Sequence, residues 1–319
     1  MIGGDSMHQQ HQTCSRRHFL KGLAGLSAIA TLTPVLPESF TRSAKADVPK
    51  RVVIADGALA ETALAMGIVP LAMADVPGYR VWVQEPKVPE QVINLGARFQ
   101  PSLERLAQLD PDLILTSSFY ANQYSRLSDL APIEKIDIYS SSKTPFLNAM
   151  AAAQKIAEVT GHRGTAEILI SDTLSRIDQA SRELTSSQAS SVLVTSMLSP
   201  RHMRVYGQNS LMQDVIDRLP VKNAWTGPTN HWGFATVTID QIAQYSNAAL
   251  IAIKPVPDNV DRAIVHSPIL SELPSIKRFG LITMPPVATF GGLFAAGRFS
   301  DLLANALTSQ GAAHGEFAS

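Results

Sequence analysis

From Arg51 onward, short unbroken apolar runs are set between stretches with helical spacing. The first run, Val52-Val53-Ile54-Ala55, is β-branched and continuous, the pattern of a parallel strand covered on both faces. A helical stretch to Met66 follows and stops at Gly67, a residue suited to a helix C-terminus. Further runs at 71–74, 92–95 and 113–116, with a helix over 102–109 between the last two, predict an α/β lobe with a largely parallel sheet.

The middle of the chain differs. Residues 145–160 are Ala-rich and helical, Gly161 breaks them, and 164–186 then holds Ile170, Leu174, Ile177 and Leu184 at helical spacings. A helix of that length spans about 30 Å, enough to cross from one lobe to another. The α/β pattern resumes with strands at 191–196, 249–253 and 281–284 and helices at 210–218 and 293–308. This predicts an α/β fold of two lobes joined by a single long helix, with lobes over 47–163 and 187–319 and the connecting helix over 164–186.

The N-terminus changes the expected compartment. Ser15, Arg16, Arg17, His18, Phe19, Leu20 and Lys21 form a twin-arginine signature, followed by a weakly apolar stretch over 22–36 and a small-residue site, Ala44-Lys45-Ala46. The apolar stretch is short and interrupted by Gly, Thr and Pro, which argues against a membrane span. Residues 1–46 are therefore expected to be an export signal whose removal leaves a periplasmic protein. The chain's one cysteine, Cys14, lies within it, so the mature part has no disulfide and no thiolate metal site.

Lys+Arg and Asp+Glu both count 27, which gives no nucleic-acid footprint and favours small molecules or proteins as partners. Sequence handles of catalysis are missing: there is no Walker loop, no Gly-x-Ser-x-Gly, no His-Glu-x-x-His and no Gly-x-Gly-x-x-Gly after a strand. The Gly-rich piece over 291–297 lacks a phosphate-loop lysine, and no two histidines of the lobes are spaced to share a helical face. His202 and His231 stand out only because each neighbours another residue of interest.

The segment Gly78-Tyr79-Arg80-Val81-Trp82-Val83-Gln84-Glu85-Pro86, and Asn223-Ala224-Trp225 through Asn230-His231-Trp232-Gly233, closely resemble the ferric-hydroxamate periplasmic binding proteins. Leu95-Gly96-Ala97-Arg98, Pro101 to Leu106, and Pro200-Arg201-His202-Met203 are similar to the same family in the same order. The resemblance implies two α/β lobes joined by a rigid helix, with ligand in the shallow cleft between them. It implies a carrier that is not an enzyme, works as a monomer, binds an iron(III)-hydroxamate siderophore and hands it to an inner-membrane ABC permease. Such a site needs no cofactor and no protein ligand to the metal, because the siderophore fills the octahedral coordination and only the outside of the complex is read.

By the same resemblance Arg98 would donate to hydroxamate oxygens and Tyr120 would donate its hydroxyl from the opposite direction. Trp232 would supply an apolar wall, with Trp82 and Phe290 as further wall residues. Each has a plainer alternative: Arg98 a surface arginine paired with Glu104, Tyr120 a half-buried lid, Trp232 a core tryptophan. Where the best-known members carry a Trp-Phe-Tyr cluster, this chain has Ala288, Thr289 and Phe290, which implies a less aromatic and roomier second wall. Glu104 and Asp240, each opening a helix, correspond to acids that dock on permease arginines, or serve only as favourable helix N-terminal charge. A carrier of a catecholate siderophore, haem or cobalamin remains the nearest alternative. A strongly anionic catecholate complex would call for several basic residues, and only Arg98 is nominated here. An exported enzyme that modifies siderophores would need a redox cofactor or activated nucleophile, for which the sequence has no motif.

Overall fold

The computed structural model describes residues 48–256 and 268–309, so the signal expected over 1–46, with Arg16, Arg17 and Cys14, lies outside the described residues. The first sheet contains β1 (Val52–Ile54), β2 (Ala72–Met73), β3 (Ile93–Asn94), β6 (Leu113–Thr116) and β7 (Ile133–Lys135), in the order β3-β2-β1-β6-β7. All its pairs are parallel, and β1 at its centre is buried on both faces, as its unbroken Val-Val-Ile run requires. Between β3 and β6 lie a small hairpin, β4 (Gly96–Ala97) with β5 (Gln100–Pro101), and the helix α3 (Leu103–Gln108). The helices α1 (Gly57–Ala65), α2 (Val76–Trp82) and α4 (Tyr124–Ser128) complete this lobe, α4 following a 3-10 segment over Ser118–Gln123.

Two long helices follow, α5 (Pro145–Val159) and α6 (Thr165–Leu184). The second sheet is mixed: β8 (Ser191–Met197), β9 (His202–Tyr206), β10 (Lys222–Asn223), β11 (Phe234–Thr238), β12 (Ala249–Ile253) and β13 (Ile282–Met284). Its order is β11-β9-β8-β12-β13, with β10 pairing to β8, and only the β11-β9 and β9-β8 pairs are antiparallel. Helices α7 (Leu211–Ile216), α8 (Ile239–Ile242), α9 (Pro268–Ser271), α10 (Pro274–Phe279) and α11 (Leu293–Thr308) complete the second lobe. No helix among the described residues is long and apolar enough to cross a membrane.

The connecting helix buries Ile177 and Leu184 as their spacing predicts, while Leu169 and Thr173 take the inner face in place of Ile170 and Leu174. Ala166, Leu169, Thr173, Ile177, Ala180 and Leu184 face inward, whereas Ile170 is half-buried and Leu174 is 40 % exposed. Helix α11 lies against this face from Thr173 onward, and α5 also packs on α6. Arg176 of α6 forks onto one oxygen of Asp301 at 2.8 and 2.7 Å, and the Thr173 hydroxyl donates to the Leu293 carbonyl at 3.3 Å. Asp47–Ser319 packs as one unit, and a single apolar cluster runs from Ile54 and Leu59 of the first lobe through Ile177 and Phe299 to Val192 and Ile251 of the second.

One polar contact pins the lobes inside that core. Glu61 of α1 is 1 % exposed, and its Oε2 accepts the Gly292 N–H at 2.7 Å while Oε1 has no partner. A Cβ on Gly292 would lie 2.3 Å from the Thr62 hydroxyl oxygen, so only glycine admits this approach. Beside it the Tyr139 hydroxyl donates to the Gly291 carbonyl at 3.2 Å. Burial raises the Glu61 carboxyl to about 8, against the pull of the Gly292 amide and of Arg298.

Between an ordinary glutamate value of about 4.3 and about 8, the unfolded chain therefore ionises Glu61 while the folded chain keeps it protonated. Folding stability should fall with rising pH across that window and level off above it. Glu61→Gln removes the titration, so the stability difference between variant and wild type should grow from pH 5 to 8 by on the order of a few kcal/mol. Urea melts across that range check it, and a difference that does not vary with pH rules out the protonated carboxyl.

Candidate functional site

A cavity of about 400 Å³ opens between the lobes. Its lining comes from residues at or just past the carboxyl ends of parallel strands: Ala55 after β1, Asp75 after β2, Met197 at the end of β8, Lys254 after β12 and Val287 after β13. Strand carboxyl ends are where open α/β sheets expose loops to a ligand. A smaller cavity of about 30 Å³ adjoins it and shares Arg98 and Phe290 with it.

Arg98 stands in the two-residue turn of the β4–β5 hairpin, where Ala97 pairs with Gln100. Its guanidinium carbon lies 5.8 Å from the Phe99 ring and 5.5 Å from the Phe119 ring. No carboxylate lies within ion-pair distance of it among the described residues, so the pairing with Glu104 does not form. Tyr120 sits in the 3-10 segment with 1 % exposure, and its hydroxyl has no hydrogen-bond partner among the described residues. Burial and then Asp56 push its pKa well up, and the nearby Arg98 guanidinium offsets part of this without reaching hydrogen-bonding geometry.

Trp232 is half-buried and stands in the smaller cavity rather than the larger one. It meets Phe119 edge-on at 5.3 Å and Tyr139 at 5.8 Å, both from the first lobe, and Phe290 of the second at 5.9 Å. Phe290 in turn meets Phe234 at 5.8 Å and Tyr206 at 6.5 Å, so an aromatic band crosses the back of the cleft. The Asn230 side chain sets the Trp232 turn by accepting the Trp232 and Phe234 N–H groups at 2.9 and 3.2 Å. Trp82, 53 % exposed at the end of α2, lines the large cavity, as do Ala288, Thr289 and Phe290.

His231 packs edge-on to Trp232 and His202 contacts Ser199, and neither lines either cavity. Glu104 and Asp240 are exposed in the first turns of α3 and α8, also away from both cavities. Among the described residues no group of three or more His, Cys, Asp or Glu is placed to hold a metal ion.

The nomination of Arg98 as the one basic residue of the cleft is corrected by Arg204 and Lys254, which line the same cavity. Arg204 was legible in principle: on β9, Met203 and Val205 are fully buried while Arg204 and Tyr206 point to the other face. Lys254 directly follows the buried strand Ala249–Ile253, the position where a site residue is expected. Tyr79 was passed over too. It is 4 % exposed and lines the cavity, and its unpartnered hydroxyl is raised in pKa by burial and then by Glu61.

The acids near the cleft are already engaged. Asp56 caps α1 by accepting the Ala58 and Leu59 N–H groups, and the Ser117 hydroxyl donates to its other oxygen at 2.6 Å. Asp75 caps α2 by accepting the Gly78 N–H at 3.1 Å. Guanidinium, ammonium and phenol donors are therefore left facing a void with aromatic walls, an arrangement that receives anionic oxygens carried on an apolar body.

A family model described as periplasmic binding protein matches residues 52–288. The iron(3+)-hydroxamate-binding protein FhuD of Escherichia coli (strain K12) is 31 % identical over 293 residues, covering 92 % of this chain and 96 % of that protein. Among solved structures, the siderophore binding protein FhuD from Vibrio cholerae with Fe3+-Desferal bound superposes with a TM-score of 0.78 at 22 % identity, over 82 % of this chain and 98 % of its own. The triscatecholate siderophore binding protein FeuA from Bacillus subtilis, complexed with ferri-bacillibactin, reaches 0.64 at 16 % identity over 81 % of this chain and 92 % of its own. At such identities both likenesses carry the fold alone.

An unpartnered buried hydroxyl costs about 1–3 kcal/mol. Tyr120→Phe should therefore stabilise the ligand-free protein by about 1 kcal/mol. Thermal melts of the two proteins check it, and a lower melting temperature in the variant means that the hydroxyl has a partner.

Proposed function

The chain belongs to the periplasmic binding protein family, and we propose that its cleft captures an iron(III)-hydroxamate siderophore in the periplasm and delivers it to an inner-membrane ABC permease. One observation carries this. Arg98, without a carboxylate partner, and Tyr120, with a free buried hydroxyl, converge on a cavity of about 400 Å³ walled by Trp82 and Phe290. A ferric trihydroxamate offers the complement: a neutral core whose oxygens carry partial negative charge, wrapped in apolar linkers. The ligand named for the Escherichia coli relative, aligned over almost the whole chain, supports the same choice.

In this reading the lobes are 47–163 and 187–319 with the helix over 164–186 between them, the protein works as a monomer, and residues 1–46 direct export by the twin-arginine route. Trp232 acts from the back of the cleft as the wall that closes it. Glu104 and Asp240, exposed on different lobes, take the permease-facing role.

The added cations Arg204 and Lys254 favour one second reading, a carrier of an anionic catecholate complex. Against it, Asp56 and Asp75 lie close enough to Tyr120 to raise its pKa, so a triply anionic iron core placed there meets two carboxylates. Titration of tryptophan fluorescence with ferric hydroxamates and a ferric triscatecholate separates the two.

Arg98→Ala should weaken hydroxamate binding by about 10- to 150-fold, the range for hydrogen bonds to charged groups, with the melting temperature unchanged. Arg98→Lys should recover only part, since it keeps the charge and loses the planar fork. Dissociation constants from the same titration check both, and an unaltered constant in Arg98→Ala sinks the assignment.

Glu104→Lys and Asp240→Lys should slow iron uptake by cells while leaving the dissociation constant within about twofold, because complementary charges mainly govern encounter and register. A matching loss of affinity would move these residues from the docking surface to the ligand site.

A further inference from the structure

Arg204 has no role in the fold that accounts for its charge. It projects from the middle of β9, opposite Ser196 of β8, with its guanidinium carbon 4.6 Å from the Phe234 ring and 6.0 Å from the Phe290 ring. Its Nε is buried with no hydrogen-bond partner, and no carboxylate lies within ion-pair distance among the described residues. Lys254 emerges one strand away: β12 pairs with β8 at Ala252 and Thr195, so Lys254 leaves the sheet beside the segment that faces Arg204. Its backbone N–H is fixed on the Met284 carbonyl at 2.9 Å, and its side chain reaches the cavity from an exposed position.

The charges of the cleft divide by lobe. On the first lobe Arg98 and Asp75 line the large cavity and Asp56 lines the smaller one beside it; both carboxylates are held by helix amides but still act on Tyr120. On the second lobe Arg204 and Lys254 line the cavity with no acid among its lining residues from that lobe. A neutral iron core suits the first side. It leaves the second side as two cations in a partly desolvated cleft, which an anion on the ligand's periphery would compensate.

Resting on the hydroxamate reading above, we propose that the chelate this protein is built for carries a free carboxylate, and that Arg204 and Lys254 receive it. The iron core sits against Arg98 and Tyr120, and the carboxylate extends across the cleft to the second lobe. Arg204, pre-set by its seat on Phe234, supplies the planar fork, and Lys254 supplies a more solvated point charge.

The test uses one linear trihydroxamate in three forms: with its terminal amine free, acetylated, and succinylated. Their ferric complexes share one iron core and differ in end-group charge, cationic, neutral and anionic. Fluorescence titrations should give the tightest binding to the succinylated complex, by about tenfold or more over the free-amine complex. Arg204→Gln and Lys254→Gln should each narrow that gap, weakening the succinylated complex by more than the acetylated one. The Lys254 share should fade in high salt because that side chain is exposed. Lys254→Gln alters an exposed side chain and keeps the test decisive if Arg204→Gln fails to fold.

Equal affinities for the three complexes, or a gap that survives both substitutions, would overturn the carboxylate site and leave the hydroxamate carrier standing. Binding of none of them by a chain with a normal melt, or tighter binding of a ferric triscatecholate, would remove both.

Discussion

The lobes share one core, and the cleft depends on that constraint. Helix α11 is the last element of the second lobe in sequence, yet it packs on α1 and α5 of the first as well as on α6 and α7. Separating the lobes would expose part of this apolar interior and would strip the Glu61 carboxyl of the Gly292 amide. A large hinge motion between the lobes is opposed by this shared core.

A preformed cleft places its selectivity in side chains rather than in closure. The two helix caps illustrate how this chain manages charge near the void. Asp56 and Asp75 are carboxylates at the carboxyl ends of strands, where a ligand would meet them, but each is turned onto the amides of the helix it opens. Arg98 stands on that side with no carboxylate partner among the described residues. Across the cleft, Arg204 and Lys254 have no such counterweight. The aromatic band from Phe119 through Trp232 to Phe290 joins the two sides.

Much of the scaffold was legible in the sequence because its elements are long or uniformly apolar. The strand at 249–253 and the helix at 293–308 were read to the residue, and the connecting helix to within two. The helix Val76–Trp82 was missed: Pro77 and Gly78 argue against a helix interior, yet Pro77 falls in the first turn, where its missing N–H costs nothing. The inner face of α6 was read only in part: Ile177 and Leu184 are buried, but periodicity favours large apolar residues, whereas Thr173, which meets the start of α11, takes the place of Leu174. Arg98 and Tyr120, nominated through family likeness, both line the cavity. Arg204 was passed over because the quoted motif ended at Met203, one residue before the alternation of β9 turned toward the cleft. Glu61 lies 231 residues from its partner, and no local pattern distinguishes it from a surface glutamate.

The unsatisfied groups at the cleft follow from the same rigidity. Tyr79 and Tyr120 hold buried hydroxyls without partners, and Arg204 holds a buried Nε without one. In a protein that closed on its ligand, such donors could stay hydrated until closure. Here the shared core fixes them in place beforehand, so part of the desolvation cost of binding is borne when the chain folds. A ligand that supplies an oxygen to the Tyr120 hydroxyl then gains more from that bond than it would from a hydrated donor, because the hydroxyl gives up little water on contact. The fold tolerates this because each unsatisfied group costs only about 1–3 kcal/mol, while the helices behind the cleft bury large apolar side chains such as Leu59, Ile156, Phe299 and Leu303. Unsatisfied donors at the cleft and a buried helical layer behind it are thus two parts of one arrangement, in which the helical core supports the cost of the site.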